Sequence, residues 1–274
     1  MFGDNIVPKL NKTLDPKVIF SALNKRASSG LPHFKKKGQM LKTVIKVCDE
    51  YNSKDYDTIE KYFQLPAVVY RIVQPGKSGK FKNRYVYGPP IEVTIIELIF
   101  GYEVMNYFLE KQDSGIVLGK TQVELFNLLQ SHVDKFTKSG DYSNFDQTIP
   151  SCFLLTCLDT ISYMIKLDDD FDLAVYGLVS SYIVNCNLYH PVTGLVKRKQ
   201  GIYSGSYFTN LLDSMVNCFI IGYTSALSTD CKIFVSGDDL FIVSSKDIIY
   251  REDGIIEIGM KLTMDKETVT TPGT

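Results

Sequence analysis

The chain has 274 residues, of which 45% are apolar, so it is long enough to bury one large core or two modest ones. Its formal net charge of −1 shows that the protein is neither strongly basic nor strongly acidic, so the overall charge does not indicate a particular kind of partner. Six cysteines without CxxC spacing exclude a disulfide framework and favour a reducing, intracellular setting.

In chain order, the first 24 residues predict an extended arm with a short helix, and 40–64 predict helices. Residues 67–90 predict two strands around a basic loop, and the apolar spacing of 91–112 predicts a helix. The elements expected after these are a strand before Asp141, helices over 150–166 and 169–184, a hairpin turning near Thr193-Gly194, a long apolar helix over 209–227, a hairpin over 233–243, a helix over 248–259 and a short strand over 261–264.

Positive charge is clustered in two stretches. Seven basic and no acidic residues lie from Lys25 to Lys46, and five basic and no acidic residues lie from Arg71 to Arg84. Such clusters make locally positive surface of the kind that an anionic ligand requires, although two solvated faces are the alternative. No signal peptide opens the chain, and the apolar stretch 211–227 carries Asp213 and Asn217, which argues against a transmembrane helix.

Two acidic clusters point to chemistry. Asp238 and Asp239 follow Gly237 between two apolar runs, which by itself predicts only a hairpin turn. However, adjacent carboxylates repel each other unless a cation compensates. Asp141 and Asp146 form the second cluster, just before a helix start. If both clusters end neighbouring strands of one sheet, Asp141 and Asp238 can share divalent metals about 3.5–4 Å apart, as in nucleotidyl transfer.

Six segments stand out in chain order: SSGLPHFKKKG (28–38), KFKNRYVYGPP (80–90), GDYSNFDQTIP (140–150), GIYSGSYFTNLLDSMVN (201–217), SGDD (236–239) and KLTMDKETV (261–269). In this order they resemble motifs G, F, A, B, C and D of the RNA-dependent RNA polymerases of RNA viruses, over nearly the whole chain. FDQTIP and GSYFTNLLDS are most similar to the partitivirus type of double-stranded RNA virus, within the picornavirus-like supergroup. Asp213 stands where picornavirus enzymes carry Asn.

The resemblance implies a role for each of several side chains, with two Mg²⁺ ions, or Mn²⁺, as cofactor. The metal and catalytic carboxylates would be Asp141, Asp238 and Asp239, with Lys266, or its rival Lys261, as the proton donor. Among the nucleotide-binding residues, Arg84 and Lys82 would bind the triphosphate, helped by Lys80 and Arg71. The ribose would be surrounded by Asp146, Thr209, Asp213 and Asn217. Ser204 and Gly205 would contact both the nucleotide and the template. Template entry would be lined by Gly30, Pro32, Lys35, Lys36 and Lys37.

The implied fold is α+β, a right hand whose palm is an antiparallel ferredoxin-like sheet with helices on one face. The palm would take 131–165 and 201–274, and the fingers would take 1–130 and 166–200. Because the chain stops just after motif D, we expect the thumb to be absent. The expected partners are an RNA template with its primer or product strand, nucleoside triphosphates and viral capsid protein, without a membrane. The expected place is the host cytoplasm, or inside the virion.

Two alternatives remain at this stage. A reverse transcriptase would share the metal aspartates, but it usually carries an aromatic residue before the Asp-Asp pair and a bulky residue in place of Asp146. A non-enzymatic RNA-binding scaffold would have lost carboxylates that are all present here.

Overall fold

A computed structural model gives the fold of the chain. It describes residues 9–75, 81–111, 115–130, 136–140, 142–224, 231–245, 252–260 and 268–270. The chain divides into two compact units, of which the first comprises Met1–Val104 and Leu158–Phe208 and the second Met105–Cys157 and Thr209–Thr274.

Ten helices and eight strands occur in the described part of the chain. In chain order they are α1 (Pro16–Ala22), α2 (Leu41–Asn52), α3 (Tyr56–Phe63), β1 (Ala67–Pro75), β2 (Phe81–Gly88), α4 (Ile91–Glu110), α5 (Gln122–Gln130), β3 (Phe136–Gly140), α6 (Phe145–Thr148), α7 (Ser151–Met164), α8 (Asp170–Asn185), β4 (Asn187–His190), β5 (Gly194–Lys197), α9 (Thr209–Thr224), β6 (Lys232–Ser236), β7 (Asp239–Ser244), α10 (Glu252–Glu257) and β8 (Thr268–Thr270).

The first unit contains a four-stranded sheet of order β2-β1-β4-β5. β1 and β2 form an antiparallel hairpin, and so do β4 and β5. The two hairpins join through a short parallel pairing in which Ala67 lies opposite Leu188. Both hairpins are predicted by local sequence signals, whereas the pairing between them joins segments 121 residues apart and has no local signal.

Helix α4 is the central helix of the first unit. Pro90 immediately precedes it and presets the backbone for a helix start. Every residue from Ile91 to Phe100 is buried, including Glu92, Thr94 and Glu97. A helix that is buried on all sides belongs in a protein core, which explains why its sequence is apolar nearly all round.

The second unit is built on a four-stranded sheet of order β6-β7-β3-β8, in which every neighbouring pair is antiparallel. Helices α6, α7 and α9 follow β3 in the chain, and α10 lies between β7 and β8, so the order of elements is βαββαβ. Helix α9 contacts β6 and α10. The predicted α+β class with an antiparallel sheet therefore agrees with the structure.

Some element predictions need adjustment. Helix α5 was not predicted, and the described strand near the C-terminus is Thr268–Thr270. The strand predicted over 261–264, the start of the last predicted helix and the end of the long helix at 225–227 lie outside the described residues. The boundaries of the two units differ from the predicted fingers and palm segments, and the fingers and palm assignment stays a prediction. None of the described helices is long and apolar enough to cross a membrane.

Candidate active site at the turn between β6 and β7

The turn between β6 and β7 places two aspartates at the surface. Ser236 pairs with Asp239 across the hairpin, so Gly237 and Asp238 form a two-residue turn. Gly237 has a φ of +63°, which an L side chain rarely adopts, and a Cβ there would lie 3.0 Å from Asn210 Oδ1. The glycine therefore permits a tight turn against α9, with Asp238 exposed at its tip and Asp239 exposed at the start of β7.

Two buried polar side chains of α9 hold this turn. The Gly237 amide donates to Ser214 Oγ at 2.8 Å. Asn217 Nδ2 donates to the Gly237 carbonyl at 3.1 Å and is 3.5 Å from the Asp239 carbonyl oxygen. Ser214 and Asn217 are both fully buried, so water does not compete for these bonds. The backbone that carries Asp238 and Asp239 is thus held by α9 as well as by the hairpin.

Ser214 was not among the predicted site residues. It lies inside the motif B segment, next to Asp213, and this position was the signal that could have found it. Asn217 was predicted to act on the nucleotide sugar. The structure shows that its amide nitrogen holds the turn, while its Oδ1 has no hydrogen-bond partner among the described residues.

The opposite edge of β6 is covered by a short extended segment. The Val235 amide donates to the Gly115 carbonyl at 2.8 Å, and the Val117 amide donates to the Val235 carbonyl at 2.9 Å. Gly115 has a φ of +75°, and a Cβ there would lie 2.8 Å from the Ile233 carbonyl oxygen. β6 is therefore held on both edges, which restricts the turn that follows it.

Three carboxyl groups influence one another around this turn. Asp213 on α9 is 4% exposed, and its Oδ1 has no hydrogen-bond partner within the described part of the chain. Burial, together with the smaller effect of the negative charges of Asp146 and Asp238, raises the pKa of Asp213 to about 9. Asp146 lies half-buried in α6. The charges of two predicted site aspartates, Asp146 in α6 and Asp238 in the hairpin, thus act on a third, Asp213 in α9.

Only part of the predicted metal site lies within the described residues. Asp141 follows β3 directly but lies outside the described residues, as do Lys261 and Lys266. Within the described ranges, no group of three or more histidine, cysteine, aspartate or glutamate side chains has an arrangement that could hold a metal ion. The oxygen atoms of the carboxylates at the turn are the hard ligands that Mg²⁺ prefers. The predicted metal ligands therefore stay a prediction.

The predicted phosphate-binding residues lie on the β1–β2 hairpin of the first unit. Arg84 is exposed on β2 opposite Ile72, and Arg71 is exposed on β1. Lys82 pairs with Gln74 through the backbone, and its side chain is not described, while Lys80 lies outside the described residues.

The predicted template-binding and loop residues divide by exposure. Exposed side chains are Pro32, Lys35, Lys36 and Ser204, whereas Thr209 is half-buried at the start of α9. Lys37 differs from the two lysines before it, because it is 7% exposed and its Nζ donates to Thr94 Oγ1 at 3.3 Å. Lys37 is therefore an interior residue and does not belong to an exposed basic run.

Two predicted glycines lie against the end of β2. Gly30 has a φ of +63°, and a Cβ there would lie 2.3 Å from the Pro89 carbonyl oxygen. A Cβ at Gly205 would lie 1.8 Å from the Tyr87 carbonyl oxygen. Both positions require glycine because the backbone of the neighbouring segment leaves no space for a side chain.

Comparisons with known proteins agree on one family. The family model described as viral RNA-dependent RNA polymerase matches residues 3–273. A curated relative, the RNA-directed RNA polymerase of Cryptosporidium parvum virus 1 (strain KSU-1), is 24% identical over 92% of this chain and 51% of its own length. The chain thus spans about half the length of that relative.

Solved structures show the same fold. The RNA-dependent RNA polymerase of a human picobirnavirus matches with a TM-score of 0.70 and 15% identity, over 96% of this chain and 52% of that one. An insertion-loop deletion mutant of a human picobirnavirus polymerase matches with a TM-score of 0.69 and 15% identity, over 97% of this chain and 54% of that one. The predicted likeness to viral RNA polymerases is confirmed, whereas the partitivirus placement stays a prediction.

Proposed function

This chain belongs to the viral RNA-dependent RNA polymerases, and we propose that it carries the nucleotidyl-transfer centre for template-directed synthesis of a viral RNA genome and its transcripts. The observation that carries the proposal is the turn between β6 and β7: α9 holds the backbone of Gly237, and the charge of the next residue, Asp238, acts with that of Asp146 on the buried Asp213. On this proposal the second unit, with its βαββαβ order, corresponds to the palm, and the first unit corresponds to the fingers.

The acidic turn suits divalent cations. The pKa of Asp213 is raised by burial and then by the negative charges of Asp146 and Asp238, so the site carries an excess of negative potential that a cation would relieve. We assign Asp141, Asp238 and Asp239 as the residues that would hold two Mg²⁺ ions, or Mn²⁺. When bound, such ions supply activation of the attacking 3′-hydroxyl and neutralise charge on the leaving pyrophosphate.

Sugar selection is assigned to Asp146, Thr209, Asp213 and Asn217. A 2′-hydroxyl both donates and accepts a hydrogen bond, so its recognition needs both kinds of partner. Asp213 supplies a donor in its protonated form, which burial favours. Oδ1 of Asn217 supplies an acceptor. A deoxynucleotide would leave these buried groups unpaired, which is how such a site rejects it.

The remaining assignments concern charge and the template. Arg84, with Lys82, binds the triphosphate through paired donors, and Lys266 protonates the leaving pyrophosphate. The loop at Ser204 and Gly205 touches template and nucleotide. Gly30, Pro32, Lys35 and Lys36 line template entry, where contacts to phosphates position the strand without reading its sequence. The partners are RNA and nucleoside triphosphates. A capsid partner and a place in the host cytoplasm or virion stay predictions.

The comparisons do not favour the alternatives of a reverse transcriptase or a scaffold without activity.

The proposal is tested by primer extension with the whole protein in which this chain occurs. We expect RNA products that require a template, the templated ribonucleotides and Mg²⁺, that disappear when the ions are chelated and that return when Mg²⁺ is restored. Deoxynucleotides serve as the matched control and should extend poorly. Extension without a template, or equal use of deoxynucleotides, would contradict the assigned function.

A further inference from the structure

Glu97 is a buried acidic residue in the core of the first unit. It lies in the N-terminal half of α4 and is 0% exposed, and its neighbours from Ile91 to Phe100 are buried as well. Burial raises its pKa, while hydrogen bonds from Tyr203, Tyr207 and Ser206 and the charge of Lys37 oppose that change. A carboxylate in such a position is costly unless its oxygens are hydrogen-bonded, so its partners explain its presence.

Three hydrogen-bond donors to Glu97 come from one short loop. Tyr203 Oη donates to Oε1 at 2.7 Å, and Ser206 Oγ is 3.1 Å from the same oxygen. The Tyr207 amide donates to Oε2 at 2.6 Å. The carboxylate therefore holds the loop on both sides of Ser204 and Gly205, the two residues assigned to template and nucleotide contact.

The loop also lies directly on the end of β2. A Cβ at Gly205 would be 1.8 Å from the Tyr87 carbonyl oxygen and 2.9 Å from Pro89 Cδ. Ser204, in contrast, is exposed. The backbone at Gly205 is thus pressed against β2 while the side chain of Ser204 faces solvent, and Glu97 supplies the polar contacts that keep this arrangement.

The same end of α4 anchors the segment 28–38. The Ile91 amide donates to the Ser29 carbonyl at 2.9 Å. Lys37 Nζ donates to Thr94 Oγ1, one turn before Glu97 on the same face of the helix. Lys37 and Glu97 are buried within electrostatic range of each other, so each opposes the change that burial makes in the pKa of the other. One helix end therefore fixes both the template-entry segment and the loop.

We propose that Glu97 is a positioning residue for the Ser204–Gly205 loop, acting through its hydrogen bonds to Tyr203, Ser206 and Tyr207. This inference rests on the proposed function, because it is the loop's contact with template and nucleotide that makes its position matter. Glu97 itself touches neither substrate nor metal on this account.

The direct test is amide hydrogen exchange of the whole protein carrying Glu97→Gln. Glutamine keeps an oxygen that accepts from Tyr203 and Ser206, but its NH₂ group faces the Tyr207 amide, so one anchor is lost. Because hydrogen bonds to charged groups are the strong ones, we expect exchange over 203–207 to rise about tenfold or more. A second variant, Tyr203→Phe with Ser206→Ala, removes the two hydroxyl donors from the loop side and should give the same local rise.

Asp172→Asn is the matched control. Asp172 is also a buried carboxylate of the first unit, 4% exposed, and it accepts from Tyr51 Oη at 2.6 Å without touching the loop. We expect this variant to lower the melting temperature and to leave exchange over 203–207 unchanged. Unchanged exchange in Glu97→Gln and in the double variant, or a rise spread evenly over the whole unit, would overturn the positioning role.

A kinetic measurement tests whether the position matters for the reaction. If the loop occupies its competent position for a smaller fraction of the time, kcat falls by that fraction. We expect Glu97→Gln to lower kcat for single-nucleotide addition about tenfold, with the Kd for the RNA within about twofold of the wild type. A normal kcat despite faster exchange would overturn the functional part. A wild-type protein without polymerase activity would instead refute the proposed function, and the exchange result would be unaffected.

Discussion

Asp213 is the residue whose chemistry depends most on its surroundings. Burial, followed by the charges of Asp146 and Asp238, raises its pKa to about 9, whereas an aspartate in an unfolded chain titrates near about 3.9. Between these two values the folded state binds one more proton than the unfolded state. The contribution of this group to stability is therefore lost progressively as the pH rises from about 4 to about 9.

Because the protonated Asp213 loses its stabilising contribution as the pH rises, the variant Asp213→Asn should behave differently from the wild type. Asparagine has the shape of the protonated carboxyl and no charge to bury, so the variant should gain stability relative to the wild type as the pH rises. We expect the gain to grow by about 1 kcal/mol per pH unit between about pH 5 and pH 8. Denaturant unfolding with divalent ions chelated measures it. The control is Asp159→Asn, which removes an exposed carboxylate and so corrects for the change in net charge. A stability difference between Asp213→Asn and the wild type that stays constant with pH would contradict the raised pKa of Asp213.

At the scale of elements, the β6–β7 hairpin depends on α9. The Gly-Asp turn and its flanking strands are predictable because the sequence signals are local. The contacts from Ser214 and Asn217 were not predictable in the same way, since a polar side chain inside an apolar helix does not reveal its partner. Only the structure shows that these two side chains bind the backbone of Gly237.

Ser214→Ala tests this dependence. The change leaves the buried Gly237 amide without its acceptor, so we expect the free energy of unfolding to fall by about 1–3 kcal/mol. Ser162→Ala is the matched control. Ser214 Oγ donates to the Asn210 carbonyl of its own helix at 2.7 Å, and Ser162 Oγ donates to the Asp159 carbonyl of its own helix at 2.6 Å, but Ser162 holds no turn. The control should change stability by less than about 0.5 kcal/mol. Equal effects of the two variants in thermal or denaturant unfolding would show that α9 does not hold the turn.

At the scale of the whole molecule, most of the order of elements could be predicted from periodicity, and the family from the resemblance of the motifs, but several tertiary relations could not. The parallel pairing of β1 with β4 joins distant segments without any local signal. Lys37 belongs to a run of three lysines that resembles an exposed face, yet a 3₁₀ turn over Lys37–Gln39 accompanies its burial against Thr94. No local signal distinguishes Glu97 from an ordinary acidic residue on an apolar helix, because its partners lie more than 100 residues away.

The most direct test of the account is the rate of templated primer extension by the whole protein carrying Asp238→Asn, with Asp159→Asn as the control. Loss of a carboxylate that holds catalytic cations removes several kcal/mol of transition-state stabilisation, so we expect the rate to fall about a thousandfold. RNA affinity and the folded fraction should stay near those of the wild type. Extension within about tenfold of the wild-type rate would contradict the claim that the turn between β6 and β7 is the nucleotidyl-transfer centre.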